Sequence, residues 1–345
     1  MEMSIEAVII DGSEGEGGGQ VLRSSLSLSM ITGRPFKIKN IRSGRKKPGL
    51  MRQHLTCVKA AAEICNAKTN GAELGSQELF FIPSEVKSGE YHFPIGTAGS
   101  TSLVAQTVIP ALMLGDTPSK VLLEGGTHNV HAPTFDFLQH SFLPILKKMG
   151  IEIKASLHSH GFYPAGGGKV EFEIQPVKKL KPIEMVKRGK KKSLSAEALF
   201  ANLSVDIPQR ELKVVGNVMG WSEESLHIRQ IKKSASSGNV VFLKLEHENV
   251  TETVVSFGRL GVKSEKVAQQ ACDEANDYLA SKAAVGVHLA DQLLLPMALA
   301  GEGKFTMLAP SQHTKTNIGV IKKFVPCNIA LEQVSDALWQ INITN

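Results

Sequence analysis

The sequence predicts a mixed α/β (α+β) protein, with one large domain of three repeated βαβα-type units and one small inserted α/β domain. Two observations indicate this fold. Three apolar helical stretches each end at a glycine, namely Gly33, Gly115 and Gly301. These glycines are 82 residues apart (115 − 33) and then 186 residues apart (301 − 115). The surplus of 104 residues (186 − 82) is the size of one small domain.

The first predicted unit occupies the start of the chain. Its first strand is expected over residues 5–10, and a helix is expected over residues 20–32 after the glycine-rich loop SEGEGGG. A second strand follows over residues 36–41. Apolar residues at helical spacing then predict a second helix over residues 50–66.

The second and third units repeat this order. Gln106 and Gln292 each stand four residues before a proline, and each proline stands five residues before the closing glycine. An interior proline removes a helix hydrogen bond, so this shared register supports a true repeat. The predicted helix, strand and helix cover residues 103–114, 120–124 and 135–149 in the second unit, and residues 289–300, 304–308 and 317–324 in the third.

The surplus residues are expected to form an inserted α/β domain. The basic run VKRGKKKSL marks its start. This run is more typical of a solvated domain border than of a nuclear-localisation signal, which is a weak motif. The inserted domain is placed at residues 185–284 and the large domain at residues 1–184 and 285–345, with strands inside the insertion over residues 212–219 and 240–245 and a helix over residues 266–278.

Composition places the chain among globular proteins, with 42% hydrophobic and 21% charged residues. The formal charge of +6 suits an anionic partner such as a nucleotide or RNA, although many enzymes that bind no nucleic acid carry a similar excess. Four cysteines form neither a CxxC pair nor a zinc spacing, which favours free thiols in a reducing, cytoplasmic compartment. No signal-peptide pattern and no apolar run of membrane length is present, so no membrane association is expected.

The glycine-rich loop before the first helix is the first candidate for chemistry. It matches neither the dinucleotide fingerprint nor the P-loop. Its glycines nevertheless lead into a helix N-terminus, which suits an anion. Glu14 and Glu16 offer the hard oxygen ligands that Mg²⁺ or Mn²⁺ prefers. Two solvated glutamates are the ordinary alternative.

A basic cluster follows this loop. Arg23 lies in the first turn of an apolar helix, where an arginine is costly unless it is paired. Guanidinium groups bind phosphate oxygens through two parallel hydrogen bonds. A solvated face would explain the lysines of the cluster but would explain Arg23 poorly. The members of the cluster are Arg23, Arg42, Arg45, Lys46, Lys47 and Arg52.

His313 is the candidate nucleophile, and it is expected in a polar loop near Lys315. An imidazole with its ordinary pKa of about 6.5 is largely neutral at pH 7 and can attack a phosphorus centre. Lys315 would neutralise the charge that develops on the phosphate oxygens. A single histidine in such a loop is more often structural. The other loop histidines match no common zinc spacing.

Taken together, several motifs resemble the RNA 3′-terminal phosphate cyclase family. They are DGSEGEGGGQVLRSSLSLS, IRSGRKKPGLMRQHL, GAELGSQ, GTAGSTSLVAQTVIPAL, HGFYPAGGG, and LADQLLLPMALAG followed by PSQHTKTNI. These runs span nearly the whole chain outside the predicted insertion. The resemblance implies three repeated α/β units similar to those of enolpyruvyl transferases, with a small domain inserted before the last unit.

The resemblance also implies an ATP-dependent enzyme of the ligase class that turns an RNA 3′-terminal phosphate into a 2′,3′-cyclic phosphate. A histidine would attack the α-phosphate of ATP, release pyrophosphate and hold AMP. AMP would then pass to the RNA 3′-phosphate, and the vicinal 2′-hydroxyl would displace it. The implied partners are ATP, a divalent metal (Mg²⁺ or Mn²⁺) and RNA with a 3′-phosphate end.

The same resemblance assigns residues to these roles. His313 is the implied nucleophile, and Glu16 is the implied metal contact. His288 departs from the family, which often has a tyrosine there, although an imidazole can also stack on adenine. Gln312 replaces a small residue that precedes the nucleophile in some members. The implied ATP contacts are Gln106, His288, Leu289, Ala290, Asp291 and Gln292, and the implied phosphate or RNA contacts are Arg23, Arg42, Arg45 and Gln53.

Two alternatives from other functional classes remain open at the level of sequence. A non-catalytic relative that acts in ribosome assembly would share the fold and bind RNA or protein, but such relatives lack the nucleophilic histidine. An enolpyruvyl-type transferase would share only the fold, and it leaves the arginines and glycine-rich loops unexplained. The intact loop around His313 favours the cyclase.

Overall fold

The computed structural model describes residues 6–345, and it contains three similar units and one additional sheet. The first unit starts at Val8, inside the predicted strand; Ile5 of that prediction lies outside the described residues. Its elements are β1 (Val8–Asp11), α1 (Gly19–Thr32), β2 (Phe36–Lys39), α2 (Arg52–Ile64), β3 (Lys68–Asn70) and β4 (Leu79–Ile82).

The second unit follows directly and has the same order of elements. Its second helix is interrupted by one π-helical turn, Leu138–Phe142, which joins two α-helical segments. The elements are β5 (Glu90–Pro94), α3 (Thr101–Leu112), β6 (Ser119–Gly125), α4 (Phe135–Phe137), α5 (Leu143–Lys148), β7 (Glu152–Ser159) and β8 (Gly168–Gln175).

The remaining residues form the third unit and the additional sheet. A short strand, β9 (Ile183–Met185), precedes the additional elements β10 (Lys191–Ala201), α6 (Asp206–Met219), β11 (Leu226–Gln230), β12 (Gly238–His247), β13 (Thr251–Phe257) and α7 (Ser264–Ala280). The chain then forms α8 (Val287–Ala300), β14 (Gly303–Met307), α9 (Gln312–Phe324), β15 (Asn328–Ser335) and β16 (Leu338–Thr344).

The three units share one sheet topology. Their strand orders are β1-β2-β4-β3, β5-β6-β8-β7 and β9-β14-β16-β15. In each sheet the first pair is parallel, and the next two pairs are antiparallel. The predicted α/β class and threefold repeat are therefore confirmed. Each unit has the order βαβαββ. The predicted order βαβα lacked the hairpin that closes every copy.

The place of the insertion also needs a correction. Strand β9 pairs in parallel with β14 at Ile183 and Gly303, so the third unit begins before the additional sheet and not at Leu289. The insertion therefore splits the third unit between its first strand and its first helix. Within the insertion, the strand predicted over residues 212–219 is wrong, since these residues belong to helix α6. The strand and helix expected near residues 240–245 and 266–278 are confirmed.

Two separate cores support this division. The helices α1, α2, α3, α8 and α9 pack against one another and bury a large apolar cluster drawn from all three units. The additional sheet and its helices α6 and α7 bury a second cluster, which includes Leu212, Val241 and Tyr278. We therefore propose the predicted range 185–284 as the inserted domain, except for Met185, which ends strand β9 of the third unit. No helix within residues 6–345 is both long and apolar enough to span a bilayer.

Candidate functional site

His313 lies in the first turn of helix α9 and not in the loop that the sequence predicted. Ser311 is the N-cap residue, and its Oγ accepts a hydrogen bond of 3.0 Å from the backbone N of Thr314. This cap starts the helix at Gln312. A helix N-terminus carries partial positive charge, which disfavours an imidazolium at this position.

The surroundings of His313 favour the neutral imidazole. Partial burial lowers its pKa below the ordinary value, and the charges of Arg23 and Arg45 act in the same direction against the opposing charge of Asp291. A neutral ring keeps the lone pair that a nucleophile needs. The side chain is 52% exposed, so a substrate can reach it.

A chain of side-chain hydrogen bonds orients this imidazole. Gln20 donates from Nε2 to both carboxylate oxygens of Asp291, at 2.7 and 2.9 Å. Because its nitrogen is engaged there, Gln20 presents Oε1 to Nδ1 of His313 at 2.8 Å. An amide oxygen can only accept, so Nδ1 of His313 carries the proton and Nε2 carries the lone pair.

Asp291 is held in turn by helices from two units. Asn317 donates from Nδ2 to the backbone O of Asp291 at 3.2 Å, and Ser24 donates from Oγ to Oδ1 of Asn317 at 2.8 Å. Burial raises the pKa of Asp291, while the hydrogen bond from Gln20 and the charges of His313 and Arg23 oppose this shift. Helices α1, α8 and α9 thus meet at one polar cluster inside an apolar core.

The glycine-rich loop contacts the same helix. The backbone N of Glu16 donates to Oγ1 of Thr316 at 2.9 Å. Gly15 has φ of +66°, and a Cβ added there would lie 2.2 Å from that same oxygen, so only glycine fits. The carboxylate of Glu16 pairs with Arg45 and lies 3.9 Å from Nε2 of His313. The loop therefore brings a carboxylate and an arginine to the free nitrogen.

Arg23 and His54 lie on the other side of this loop. Burial lowers the pKa of Arg23, while the charge of Asp291 opposes the shift. Burial and the charges of Arg23 and Arg42 lower the pKa of His54 to about 3, so this ring is neutral. A Cβ added at Gly19 would lie 2.4 Å from Nε2 of His54 and 2.8 Å from Nη1 of Arg23. Glycine at this position lets both side chains approach the loop backbone.

A cleft of about 510 Å³ opens next to His313 and continues towards the additional sheet. Gln106 and Gln292 line it and hydrogen-bond to each other, so the two glutamines matched by the repeat meet in the structure. His288 also lines the cleft, is 74% exposed, and has its Nε2 3.7 Å from Glu274. The predicted side chains that face this cleft are Arg23, Gln106, His288, Asp291, Gln292 and His313.

Other predicted residues stand elsewhere. Leu289 and Ala290 are fully buried, because on helix α8 they face away from the cleft side of His288, Asp291 and Gln292. Their side chains therefore do not line the cleft. Lys315 does not line the cleft either, since residues two apart on a helix point in different directions.

Arg42 and Gln53 hold loops next to the site. Arg42 donates from Nη1 to the backbone oxygens of Lys47 and Gly49, both at 2.8 Å, and so closes the basic loop. Gln53 accepts a hydrogen bond of 2.7 Å at Oε1 from the backbone N of Ser100. Each side chain keeps further N–H donors that could face a phosphate.

A divalent metal fits this site only in part. Within residues 6–345, no group of three or more histidine, cysteine, aspartate or glutamate side chains is arranged around one point. Mg²⁺ is commonly held by one or two carboxylates together with substrate phosphates and water. Glu16 can supply that single carboxylate if it exchanges its contact with Arg45. The donor set therefore suits a metal that arrives with a nucleotide.

Sequence reasoning missed several residues of this site. Gln20 and Asn317 orient His313 and Asp291, and Glu274 pairs with His288 from the additional domain. The available signal was weak, because Gln20 and Asn317 share the buried faces of their helices with other polar residues, such as Ser25 and Thr314. No signal in the sequence connected Glu274 to the site, because that contact depends on how the inserted domain packs.

Comparisons with known proteins agree on one family. The family model described as RNA 3′-terminal phosphate cyclase matches residues 14–331. A protein of Koribacter versatilis (strain Ellin345) named RNA 3′-terminal phosphate cyclase is 50% identical over 329 residues, covering 95% of this chain and 93% of that protein. A protein of the same name from Salmonella agona (strain SL483) is 47% identical over 329 residues, with 95% of each chain covered.

A solved structure, the enolpyruvyl transferase NikO from Streptomyces tendae, aligns with a TM-score of 0.39 and 11% identity, over 97% of this chain and 48% of that chain. The fold and site define a three-unit α/β enzyme whose cleft combines a neutral histidine with carboxylates and arginines. The chain belongs to the RNA 3′-terminal phosphate cyclase family.

Proposed function

We propose that this protein uses ATP to convert an RNA 3′-terminal phosphate into a 2′,3′-cyclic phosphate through a covalent histidine–AMP intermediate. The names of the relatives support the overall reaction. The observation that supports the covalent step is the hydrogen-bond chain from Asp291 through Gln20 to His313, which leaves Nε2 of His313 free as a nucleophile.

In the first step, the lone pair on Nε2 of His313 attacks the α-phosphorus of ATP. The bond from that phosphorus to the bridging oxygen breaks, and pyrophosphate leaves. As the ring becomes positively charged, the Nδ1 proton stays in its hydrogen bond to Gln20, whose orientation is fixed by Asp291. The chain thus stabilises charge on the ring without taking the proton.

In the next steps, an oxygen of the RNA 3′-phosphate attacks the phosphorus held by His313, and the nitrogen–phosphorus bond breaks. This gives RNA joined to AMP through a diphosphate. The vicinal 2′-hydroxyl then attacks the RNA phosphorus, loses its proton and displaces AMP. A poor displacement is thereby divided into steps with good leaving groups.

Positive charge around His313 suits both phosphate-bearing substrates. Arg23 lines the cleft, and Arg45 lies beside Glu16. Guanidinium groups there would bind the phosphate oxygens of ATP or of the RNA end. A divalent metal held by Glu16 and the phosphates would further neutralise charge on the nucleotide.

The cleft towards the additional domain is the proposed nucleotide site. Gln106 and Gln292 form its floor, and the exposed ring of His288 stands at its edge beside Glu274. An imidazole can stack on a nucleobase. The pairing with Glu274 would hold the ring in place for that contact.

Radiolabelled ATP tests the covalent step. Incubation with α-labelled ATP and Mg²⁺ or Mn²⁺, without RNA, is expected to yield labelled protein that is stable to alkali and labile to acid. His313→Ala should lose the label, because it removes the nitrogen that attacks the α-phosphorus. His227→Ala, a change of an exposed histidine on β11, should label like the wild type.

Three results would contradict the proposal, in whole or in part. Wild-type protein that acquires no label, while the same preparation binds ATP, would exclude the covalent step. Equal labelling of His313→Ala and the wild type would exclude His313 as the nucleophile. Wild-type protein that becomes labelled but does not cyclise an RNA 3′-phosphate would contradict only the part of the proposal that concerns RNA.

A further inference from the structure

The loop HGFYPAGGG, at residues 160–168, was not explained by the site described above. It carries Tyr163, whose side chain is 77% exposed while the preceding Phe162 is only 3% exposed. Within residues 6–345, the hydroxyl of Tyr163 has no hydrogen-bond partner. A large aromatic side chain that is exposed to solvent does not contribute the stabilisation that its burial would give.

The backbone beneath Tyr163 is firmly anchored. The N of Gly166 donates to the O of Phe162 at 2.8 Å, and the N of Ala165 donates to Oγ of Ser236 at 2.9 Å. The ring of Phe162 packs in a small apolar cluster with residues of the additional sheet, and a Cβ added at Gly238 would lie 2.5 Å from it. The backbone that carries Tyr163 is thus fixed, so little backbone entropy is lost when a ligand stacks on the ring.

Contacts connect this loop to the candidate active site. A Cβ added at Gly166 would lie 3.0 Å from Cα of Ala98. In the same short segment, a Cβ added at Gly99 would lie 3.0 Å from Cβ of Gln53. The next residue along α2, His54, lies against the glycine-rich loop beside Arg23. One short segment, residues 96–100, therefore separates the Tyr163 loop from Gln53.

Exposed cations lie near both ends of the connection between the Tyr163 loop and Gln53. Lys232 and Lys233 are exposed on the segment that supplies Ser236, and Arg52 is exposed at the start of α2. Within residues 6–345, none of these three cations pairs with a carboxylate. Glu124, in the strand next to the loop, is already paired with Lys169 at 3.2 Å and with His92 at 3.0 Å.

We propose that Tyr163 is a stacking platform for a nucleobase of the RNA strand, upstream of the terminal phosphate that reaches His313. Sites for single-stranded nucleic acid combine such an aromatic platform with cations that follow the phosphate backbone, and stacking is tolerant of sequence. This inference rests on the proposed function, since it assumes an RNA substrate. It adds a contact that would favour an RNA strand over a single nucleotide.

Replacement of the ring tests the platform. With an RNA of about ten nucleotides that ends in a 3′-phosphate, Tyr163→Ala is expected to raise KM about tenfold. Tyr163→Phe, which keeps the ring, should behave like the wild type. Tyr163→Ala should keep the wild-type labelling of His313 by ATP in the absence of RNA. It should also keep the wild-type cyclisation of a nucleoside 3′-phosphate, because that substrate has no upstream base. Val334→Ala truncates another exposed side chain, 55% exposed, on strand β15 and serves as the control.

The outcomes separate this inference from the proposed function. An unchanged KM for the RNA in Tyr163→Ala would overturn the platform while leaving the cyclase intact, and would point to a protein partner for this surface. Reduced labelling by ATP in Tyr163→Ala would show that the residue supports the fold, which also overturns the inference. Failure of the wild type to label or to cyclise RNA would instead contradict the proposed function.

Discussion

The side-chain amide of Gln20 determines which nitrogen of His313 carries the proton. An amide has one accepting and one donating end, and Asp291 engages the donating end at 2.7 Å. Gln20 is 8% exposed, so water does not readily replace either contact. A glutamine in this position therefore acts as a positioning residue for the proposed nucleophile.

We predict that Gln20→Met lowers the rate of AMP transfer to His313 about 100-fold, because a side chain of similar shape no longer holds Nδ1. The ¹⁵N chemical shifts of the imidazole report the cause directly. In the wild type they should show a proton on Nδ1, and in Gln20→Met they should show a mixture of the two tautomers.

Gln209→Met is the matched control, since Gln209 is exposed on helix α6 of the additional domain. It should leave both the rate and the imidazole shifts unchanged. A Gln20→Met protein that keeps the wild-type rate would contradict the positioning role. So would a slow variant whose imidazole shifts equal those of the wild type.

The sequence could suggest His313 and Arg23 but not the contacts that orient them. Gln20 and Asp291 are 271 residues apart, and Ser24 and Asn317 are 293 residues apart. Residue types in a single sequence do not reveal which distant polar groups meet. Leu289 and Ala290 were assigned with a contiguous motif, yet their side chains are buried, because a helix turns part of any contiguous run into the core.

At the scale of elements, the turn of the glycine-rich loop against helix α9 sets the distance between Glu16 and His313. Thr316 uses one hydroxyl for two contacts. Its Oγ1 accepts from the backbone N of Glu16 at 2.9 Å and donates to the backbone O of Gln312 at 2.7 Å. The loop can reach this hydroxyl only because Gly15 has no side chain.

We predict that Gly15→Ala destabilises the protein by about 2–4 kcal/mol and reduces AMP transfer to His313. The new methyl group meets Thr316, and a φ of +66° is itself unfavourable for alanine. Thermal unfolding and the labelling rate measure the two effects.

Gly33→Ala provides the control for backbone strain. Gly33 has nearly the same φ, +68°, but a Cβ added there has no atom within 4 Å among the described residues. This variant should show only the strain penalty, about 1–2 kcal/mol, and wild-type labelling. Equal stability and labelling in the two variants would rule out the proposed contact with Thr316.

Most helices of the three units could be predicted because glycine, proline and apolar spacing mark them. The strand predicted over residues 212–219 failed because the window was too short. The buried positions of helix α6 are Pro208, Glu211, Leu212 and Val215, which follow a helical spacing that starts before the window. The missed hairpin of the first unit contains the short strand β3, Lys68–Asn70, whose exposed polar residues show no alternation. The missed hairpin of the second unit contains β8, Gly168–Gln175, whose buried positions do alternate, so that signal was present in the sequence.

At the scale of the whole molecule, a buried carboxyl joins the additional domain to helix α8. Glu252 of β13 accepts a hydrogen bond of 2.7 Å at Oε2 from the backbone N of Gly286. It is 3% exposed, and burial raises its pKa to about 8. The carboxyl is therefore protonated in the folded protein at neutral pH and ionised in the unfolded chain.

This shift predicts a pH dependence of stability. Between the ordinary pKa of 4.5 and about 8, the folded state binds more protons than the unfolded state. The free energy of unfolding should therefore fall as pH rises through this range, by roughly 2–5 kcal/mol from this group. Glu252→Gln, which cannot ionise, should lose that component in denaturant titrations at about pH 5 and about pH 8.

Glu332→Gln makes the same chemical change at an exposed position on β15. It should retain the pH dependence of the wild type. If Glu252→Gln also retains it, then another group is responsible and Glu252 is ionised in the folded protein.

The position of the insertion has a consequence for how the protein is made. Strand β9 cannot pair in its sheet until β14 has been synthesised, because the paired residues are 120 positions apart (303 − 183). During synthesis, the residues of the first two units and of the inserted domain are made before the ribosome has produced β14, the sheet partner of β9. Closing so long a loop is slow. The proposed nucleophile at His313 thus enters the structure among the last residues, so we expect a nascent chain to consume no ATP before the proposed RNA-binding surfaces have folded.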